Sequence, residues 1–161
     1  MARPRAVDPT TDPGLLALVL ATGVTQRIAE RMAGAGFDDV RDSHGFVVQG
    51  LLAGDTTVTQ LAARLEVSPQ AVSKTVRELE RAGYVDRGPA GDDRRARPLA
   101  LTARGEELVD ASRRARLAVA RDLERWLGTR DTSELVQLLQ HAAERYGGLD
   151  QLSTRRLRPP G

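Results

Sequence analysis

The chain contains no cysteine, and this absence narrows the chemistry that it can perform. Thiol redox sensing, disulfide bonds and thiolate metal sites are all excluded. Because His44 and His141 are the two histidines of the sequence, a site built on histidine ligands is not expected either. We therefore predict a protein with no metal and no cofactor.

Aromatic residues are also scarce, at 3% of the 161 residues. The core must therefore be built mainly from leucine, valine and alanine, which suits closely packed helices. No apolar run is long enough to cross a membrane, and the first residues lack a signal-peptide core. We expect a cytoplasmic protein with one domain, or with two lobes that share helices.

The usual signatures of enzymes are missing from the sequence. There is no glycine-rich phosphate loop, no HExxH motif, no Gly-x-Ser-x-Gly motif and no cysteine nucleophile. His141 lies among polar neighbours and is interpreted as a surface residue. We therefore expect a protein that is not an enzyme. The formal net charge of +2 says little about a partner, because the distribution of charge matters more than its sum.

The order of the predicted elements is the most informative feature of the sequence. Apolar periodicity predicts six helices, with a β-hairpin of residues 84–87 and 97–101 between the fourth and the fifth. Capping residues mark the helix starts at Asp12-Pro13, Asp42 or Ser43, Thr57, Ser68-Pro69, Thr102 and Asp131. This order predicts a mainly α fold with a small β-hairpin wing (α+β), in which further helices flank a winged helix-turn-helix core.

The fourth predicted helix carries the residues best suited to read DNA. Val72, Val76 and Leu79 form its apolar face, so polar and cationic residues occupy the opposite face. The second helix of a helix-turn-helix lies in the major groove, where Gln70 can pair with adenine through two hydrogen bonds. An ordinary amphipathic surface helix is the alternative, and the wing that follows favours DNA. The predicted DNA-binding residues here are Ser68, Pro69, Gln70, Ala71, Ser73, Lys74 and Arg77.

The loop of the predicted hairpin places arginine at a protruding tip. Arginine at such a tip can enter a narrow minor groove, where the electrostatic potential is most negative. We predict that Arg95 binds DNA and that Asp93 braces the wing through an ion pair. Arg94 and Arg97 are predicted phosphate contacts. A solvated turn, in which aspartate and arginine neutralise each other, is the alternative.

The middle third of the chain resembles the MarR family of winged-helix transcription regulators. The family's recognition helix ends in a Leu-Glu-x-x-Gly-aromatic-Val-x-Arg pattern, which is present here over residues 79–87. Its wing carries Asp-x-Arg, here Asp93 and Arg95, and a Leu-Thr-x-x-Gly motif then starts the long helix, here Leu101-Thr102 and Gly105. The helix order extends the resemblance over residues 13–146.

The resemblance implies a homodimer, formed by the first, fifth and sixth helices, that reads the half-sites of a pseudo-palindromic operator. The sequence supports a partner independently, because its ends carry more apolar residues than a small winged domain can bury. These residues are Leu15, Leu16, Val19, Leu20, Leu135, Leu138 and Leu139. Trp126 and Tyr146 belong either to the interface or to the monomer core. We expect a repressor, although the operator's position decides between repression and activation.

These observations divide the chain into five segments. We predict a flexible arm (1–12), N-terminal helices (13–54), a winged DNA-binding domain (55–101), C-terminal dimerisation helices (102–146) and a flexible tail (147–161). A winged-helix module that binds proteins without DNA is the alternative function. The polar recognition face argues against it, because a protein-binding surface usually has aromatic anchors.

The resemblance also implies a small-molecule ligand in the cleft between the dimerisation helices and the winged domain. Such a ligand would release the operator by favouring a spacing of the two lobes that misfits DNA. His44 is the polar residue best placed to line this cleft, with a satisfied structural histidine as the alternative. Arg27 would suit an anionic ligand such as a carboxylate or phenolate, with a solvated helix surface as the alternative. The remaining candidates are Gln26, Val48 and Leu52.

Overall fold

The computed structural model describes residues 8–88, 98–146 and 148–149. Within these residues the elements are α1 (Pro13–Gly34), α2 (Asp42–Leu52), α3 (Val58–Leu65), α4 (Pro69–Arg81), β1 (Val85–Arg87), β2 (Leu99–Leu101), α5 (Ala103–Leu127) and α6 (Thr129–Arg145). The two strands form one antiparallel hairpin. The predicted fold class, mainly α with a β-hairpin wing, is therefore confirmed.

Local capping interactions begin α1, α3, α4 and α5 where the sequence predicted them, whereas the N-cap of α2 is Arg41 instead of Asp42 or Ser43. The side chains of Asp12, Ser68 and Thr102 each accept a hydrogen bond from a backbone N–H of the following turn. At α3, the Gln60 N–H donates to Thr57 Oγ1 at 3.2 Å, and the Thr57 N–H donates to Gln60 Oε1 at 3.1 Å. This reciprocal pair satisfies two N–H groups that have no partner within the helix.

The start of α6 differs from the prediction, which placed the cap at Asp131. The helix begins at Thr129, and Gly128 before it has a φ of 83°. Glycine adopts this conformation without the steric cost that a Cβ imposes. The chain therefore turns sharply after α5 and enters α6 at once. Asp131 lies in the first turn instead, where its carboxylate interacts favourably with the helix dipole.

The hairpin is short, and β1 begins one residue later than predicted. Its register pairs Val85 with Leu101 and Arg87 with Leu99. Tyr84 is not part of the ladder, because its N–H donates to the Leu79 carbonyl at 2.9 Å and so closes the end of α4. The hairpin thus starts directly from the end of the fourth helix.

The core lies where α2, α3, α4, the hairpin and the start of α5 meet. Its largest fully buried side chains are Val47, Leu61, Val72, Val76, Leu79 and Tyr84. Burial of one such aliphatic side chain contributes about 1.5–3 kcal/mol. The predicted inner face of α4 thus supplies three of these side chains, and its burial sets which face of the helix points outward.

The start of α5 packs against the base of the hairpin. A Cβ at Gly105 would lie 2.1 Å from the Tyr84 carbonyl oxygen, so only glycine allows this approach. Thr102 strengthens the junction, because its hydroxyl donates to the Gly83 carbonyl at 2.6 Å and its N–H donates to the Tyr84 carbonyl at 3.1 Å. These contacts explain why a Leu-Thr-x-x-Gly sequence follows the wing.

Outside this lobe, α1 packs along α5, and α6 packs against the end of α5. The two long helices share a partly buried ion pair, in which Arg31 Nη2 lies 2.5 Å from Asp122 Oδ2. Arg125 binds the other oxygen of the same carboxylate, also at 2.5 Å. Asp122 is 5% exposed, and its two guanidinium partners compensate for the cost of burying its charge.

Candidate nucleic-acid interface

The outer face of α4 is a continuous polar and cationic surface. Its predicted DNA-binding residues all lie on the outside of the lobe, with Ser73 partly buried and the others exposed. The exposed residues are Ser68, Pro69, Gln70, Ala71, Lys74 and Arg77. Because Val72, Val76 and Leu79 anchor the opposite face in the core, the helix presents this surface in a fixed orientation.

The turn between α3 and α4 is tight and contains a strained residue. Glu66 ends α3 with a φ of 54°, in the left-handed region that non-glycine residues enter at a cost of roughly 1–2 kcal/mol. The Val67 N–H then donates to the Ala62 carbonyl at 3.2 Å, and Ser68 caps the next helix. The sequence predicted the turn from Ser68-Pro69, but it carried no signal for the left-handed residue.

An ion pair attaches the end of α4 to the wing. Arg87 Nε donates to Glu80 Oε1 at 2.6 Å, from β1 to the last turn of α4. Both residues belong to the Leu-Glu-x-x-Gly-aromatic-Val-x-Arg pattern. The pair therefore gives that pattern a physical role, since it holds the hairpin base against α4.

The tip of the wing lies outside the described residues. This applies to Asp93, Arg94, Arg95 and Arg97, whose roles stay predictions from the sequence. The described base of the hairpin continues as far as Gly88, whose N–H donates to the Pro98 carbonyl at 2.8 Å. The strands thus run toward the segment that contains these residues.

His44 is buried between α2 and α4, and both of its ring nitrogens have partners. The backbone N–H of Arg41 donates to Nδ1 at 3.2 Å, and Nε2 lies 3.2 Å from Glu78 Oε2. The hydrogen bond from His44 is the main cause that lowers the pKa of Glu78, with smaller contributions from the charges of Arg41 and Lys74. His44 thus links α2 to α4.

The other predicted ligand residues occupy different environments. Val48 is buried in the core, and Leu52 is partly buried against it. Gln26 and Arg27 are exposed on α1, where Gln26 Nε2 donates to Glu30 Oε1 at 3.1 Å. The guanidinium carbon of Arg27 lies 4.9 Å from the centre of the Trp126 ring. The candidates are therefore divided between the core of the lobe and the exposed side of α1.

A second polar cluster was not anticipated from the sequence. Tyr84 is buried and donates to Asp39 Oδ1 at 2.6 Å, while Arg104 Nη2 donates to the same hydroxyl at 3.4 Å. The Arg104 guanidinium carbon also lies 5.9 Å from the centre of the Phe37 ring. The cluster joins the α1–α2 loop, the hairpin base and α5. The one feature of the sequence that could have pointed to this cluster is the small number of aromatic residues.

Large apolar side chains remain exposed on the helices that flank the winged lobe. They are Leu15, Leu16, Leu18, Val19, Leu117, Trp126, Leu127, Val136, Leu138, Leu139 and Tyr146. Trp126 and Tyr146 are 55% and 93% exposed, so neither side chain is part of the monomer core. Among its described residues α6 has no buried side chain. In the described part of the chain no helix is long and apolar enough to span a membrane.

A helix-turn-helix followed by a hairpin and a long helix defines the winged helix-turn-helix class. The model of the MarR family matches residues 48–96, which include α3, α4 and β1. The resemblance to the MarR family that the sequence motifs indicated is thereby confirmed for this part of the chain. No curated protein matches the chain by sequence.

Solved structures share the fold over most of the chain. The YusO protein from Bacillus subtilis has a TM-score of 0.69 at 24% identity, covering 84% of this chain and 94% of that chain. RV1404 from Mycobacterium tuberculosis has a TM-score of 0.68 at 24% identity, covering 88% and 97% respectively. A mutant of MepR from S. aureus, bound to an oligodeoxyribonucleotide, has a TM-score of 0.63 at 20% identity, covering 84% and 98%.

Proposed function

We propose that the protein is a DNA-binding transcription regulator that reads a pseudo-palindromic operator as a homodimer. The observation that carries this proposal is the outer face of α4, where a polar and cationic surface stands on a buried apolar face. The MarR-family match supports it. The similar MepR mutant is bound to an oligodeoxyribonucleotide, which supports the same use of the fold.

The residues of α4 have distinct roles in this proposal. Gln70, in the first turn, pairs with an adenine edge through two hydrogen bonds, and Ala71 contacts a thymine methyl. Lys74 and Arg77 lie one and two turns further along and bind a guanine edge or phosphates. Ser68 caps the helix, so that its N-terminal turn is stable where it approaches DNA.

The wing extends the interface beyond the major groove. In this proposal Arg95 enters the adjacent minor groove, Asp93 braces the loop, and Arg94 and Arg97 bind phosphates. The ion pair between Glu80 and Arg87 supports this role, because it holds the hairpin base against α4. Helix and wing would then approach DNA as one rigid unit.

The exposed apolar side chains of the outer helices support a homodimer. Solvated clusters of this kind usually mark a protein interface. Helix α6 is the clearest example, because none of its described side chains is buried within its own chain. Burial of its apolar side chains against a partner would therefore contribute most to the stability of a dimer. A two-fold axis would place two copies of α4 in successive major grooves, about 34 Å apart.

A small molecule would regulate this dimer by changing the spacing of its lobes. Of the ligand residues predicted from the sequence (His44, Gln26, Arg27, Val48 and Leu52), Gln26 and Arg27 are exposed to a ligand, whereas His44 and Val48 are buried. Arg27 is the most accessible cation among them, and it lies over the exposed Trp126 ring. A cation beside an aromatic face suits an aromatic anion, which can stack on the ring and pair with the guanidinium.

Selection of random duplex DNA by the purified protein tests the proposed function. We expect enrichment of a two-fold-related motif whose half-sites lie about one helical turn apart. The triple variant Gln70→Ala, Lys74→Ala, Arg77→Ala should recover no motif. Arg113→Ala is the matched control, because Arg113 is an exposed arginine of α5, and it should recover the same motif. Absence of enrichment with the unmodified protein would favour the protein-interaction alternative.

A further inference from the structure

Glu78 is an anion on the helix that carries the DNA-binding cations. It follows Lys74 by four residues, and side chains at this spacing are neighbours on a helix surface. The Glu78 side chain is 26% exposed, and its Oε2 lies 3.2 Å from His44 Nε2 and 3.9 Å from Arg41 Nη1. The carboxylate is therefore held from the α2 side, although a lysine is adjacent on its own helix.

The hydrogen bonds of His44 determine which ring nitrogen binds the Glu78 carboxylate. The Arg41 backbone N–H donates to Nδ1, so Nδ1 is an acceptor and carries no proton. The proton of the neutral ring is then on Nε2, which donates to the Glu78 carboxylate. The burial of His44, at 4% exposed, keeps the ring in this orientation.

We propose that His44 is a positioning residue for DNA binding, because it holds the Glu78 carboxylate on α2 and leaves the Lys74 ammonium available to a DNA phosphate. This inference rests on the proposed function. Without His44 the carboxylate keeps only the longer contact to Arg41 on the α2 side, at 3.9 Å, and becomes free to pair with Lys74, which lies one turn before it on α4. An ammonium in such an ion pair gives up its phosphate contact, and the carboxylate adds repulsion beside the DNA backbone.

Two substitutions of His44 separate the roles of its two nitrogens. In His44→Asn the amide oxygen replaces Nδ1 as the acceptor for Arg41, but the side chain is too short to reach Glu78. In His44→Gln the amide N–H₂ replaces Nε2 as the donor to Glu78, and the cap on Arg41 is lost. The proposal requires that only the first substitution impairs DNA binding.

Salt dependence of duplex binding is the measurement that distinguishes positioning from stability. Each lost phosphate contact lowers the slope of log K against log salt by about 0.9. We expect His44→Asn to weaken binding on the order of tenfold per protomer and to lower this slope by about 0.9 per protomer. We expect His44→Gln to keep the slope of the unmodified protein. An unchanged slope in His44→Asn would overturn the proposal.

Variants of Glu78 test the same pair without relying on a change at His44. Glu78→Gln keeps an acceptor for His44 but removes the charge, so binding should be unchanged or tighter. A tenfold loss in this variant would overturn the proposal. The double variant His44→Asn, Glu78→Gln should regain the original slope, and His44→Asn should have no further effect when Lys74→Ala is already present.

The outcomes distinguish this inference from the proposed function. If the unmodified protein shows no salt-dependent binding to duplex DNA, the proposed function fails. If it binds and both His44 variants behave like it, only the positioning role fails. Thermal unfolding of each variant shows whether it is folded. If the folded double variant His44→Asn, Glu78→Gln does not regain the original salt slope, the positioning role is also overturned.

Discussion

The Tyr84 hydroxyl donates a 2.6 Å hydrogen bond to the Asp39 carboxylate, across 45 residues of sequence. Tyr84 belongs to the base of the hairpin, and Asp39 to the loop between α1 and α2. That loop and the start of α5 are the two places where the chain passes between the winged lobe and the outer helices. The bond therefore lies at the first of these two places and joins it to the base of the hairpin.

Tyr84→Phe should lower the free energy of unfolding by about 1 kcal/mol. The substitution keeps the buried ring but removes the bond to Asp39 and the bond from Arg104. Denaturant unfolding measures the effect. Tyr146→Phe is the matched control, because Tyr146 is 93% exposed and its hydroxyl should contribute little in a single chain. Equal stability of the two variants would exclude a role for the Tyr84 bond.

The same variant should change stability at alkaline pH. Burial raises the pKa of Tyr84, the hydrogen bond to Asp39 raises it further, and the hydrogen bond from Arg104 partly opposes them. A raised folded-state pKa means that stability is complete below the ordinary value of 10.0 and is lost as pH rises through the folded value. We expect this loss in the unmodified protein and a smaller loss in Tyr84→Phe.

Gly105→Ala should destabilise the protein by roughly 1–3 kcal/mol. The added Cβ would lie 2.1 Å from the Tyr84 carbonyl oxygen, which belongs to backbone and must shift with the hairpin base. Gly45→Ala is the control, because a Cβ at this exposed helical position meets nothing within 4 Å. That variant should gain about 0.5–1 kcal/mol from helix propensity. Similar thermal midpoints for the two would contradict the packing at Gly105.

Local signals account for what the sequence predicted correctly. The caps at Asp12, Thr57, Ser68 and Thr102 bind backbone N–H groups within three residues, so both partners of each hydrogen bond lie in one short stretch of sequence. The amphipathic pattern of α4 likewise reveals its buried and exposed faces. The fold class and the division of α4 into a buried and an exposed face were predictable for these reasons.

Contacts between distant residues account for what the sequence did not show. The pair of His44 and Glu78 spans 34 residues, and that of Arg31 and Asp122 spans 91. No spacing rule connects residues so far apart. The misplaced start of α6 has a local cause, since the positive φ of Gly128 allowed a helix to begin before the better capping residue Asp131.

Asp122→Asn should weaken the packing of α1 on α5 and lower the thermal midpoint. The hydrogen bond from Arg31, and then that from Arg125, lowers the pKa of Asp122. A lowered folded-state pKa means that this stability is present above the ordinary value of 3.8 and is lost as pH falls through the folded value. The unmodified protein should therefore lose stability in acid more steeply than Asp122→Asn.

Asp110→Asn is the matched control for this acidic residue. Asp110 also pairs with an arginine of α5, Arg113, but both side chains are more than half exposed. Exposed pairs contribute about 0–1 kcal/mol, so this variant should unfold close to the original midpoint. Equal losses in the two variants would mean that burial of the Asp122 carboxylate does not contribute to stability.

Gln70→Ala should relax the preference for one base pair in each half-site. The side chain is exposed in the first turn of α4, where a glutamine amide can match the edge of adenine. Binding to a library of single-base operator variants measures the effect. Gln49→Ala, an exposed glutamine of α2, should leave every preference intact. A uniform loss over all operators would assign Gln70 to a phosphate instead.

Arg95→Ala should weaken operator binding by about 1–3 kcal/mol and leave dimerisation unchanged. The predicted reason is the loss of an arginine from the minor groove, where the narrow walls concentrate negative potential. Loss of affinity should therefore be largest for operators with A·T-rich sequence beside the half-site, because A-tracts narrow that groove. Arg113→Ala removes an equal charge from α5 and serves as the control for a general electrostatic effect. If Arg95→Ala and Arg113→Ala lose the same operator affinity, the loss of one positive charge explains the result. If neither variant loses affinity, Arg95 of the wing does not bind DNA.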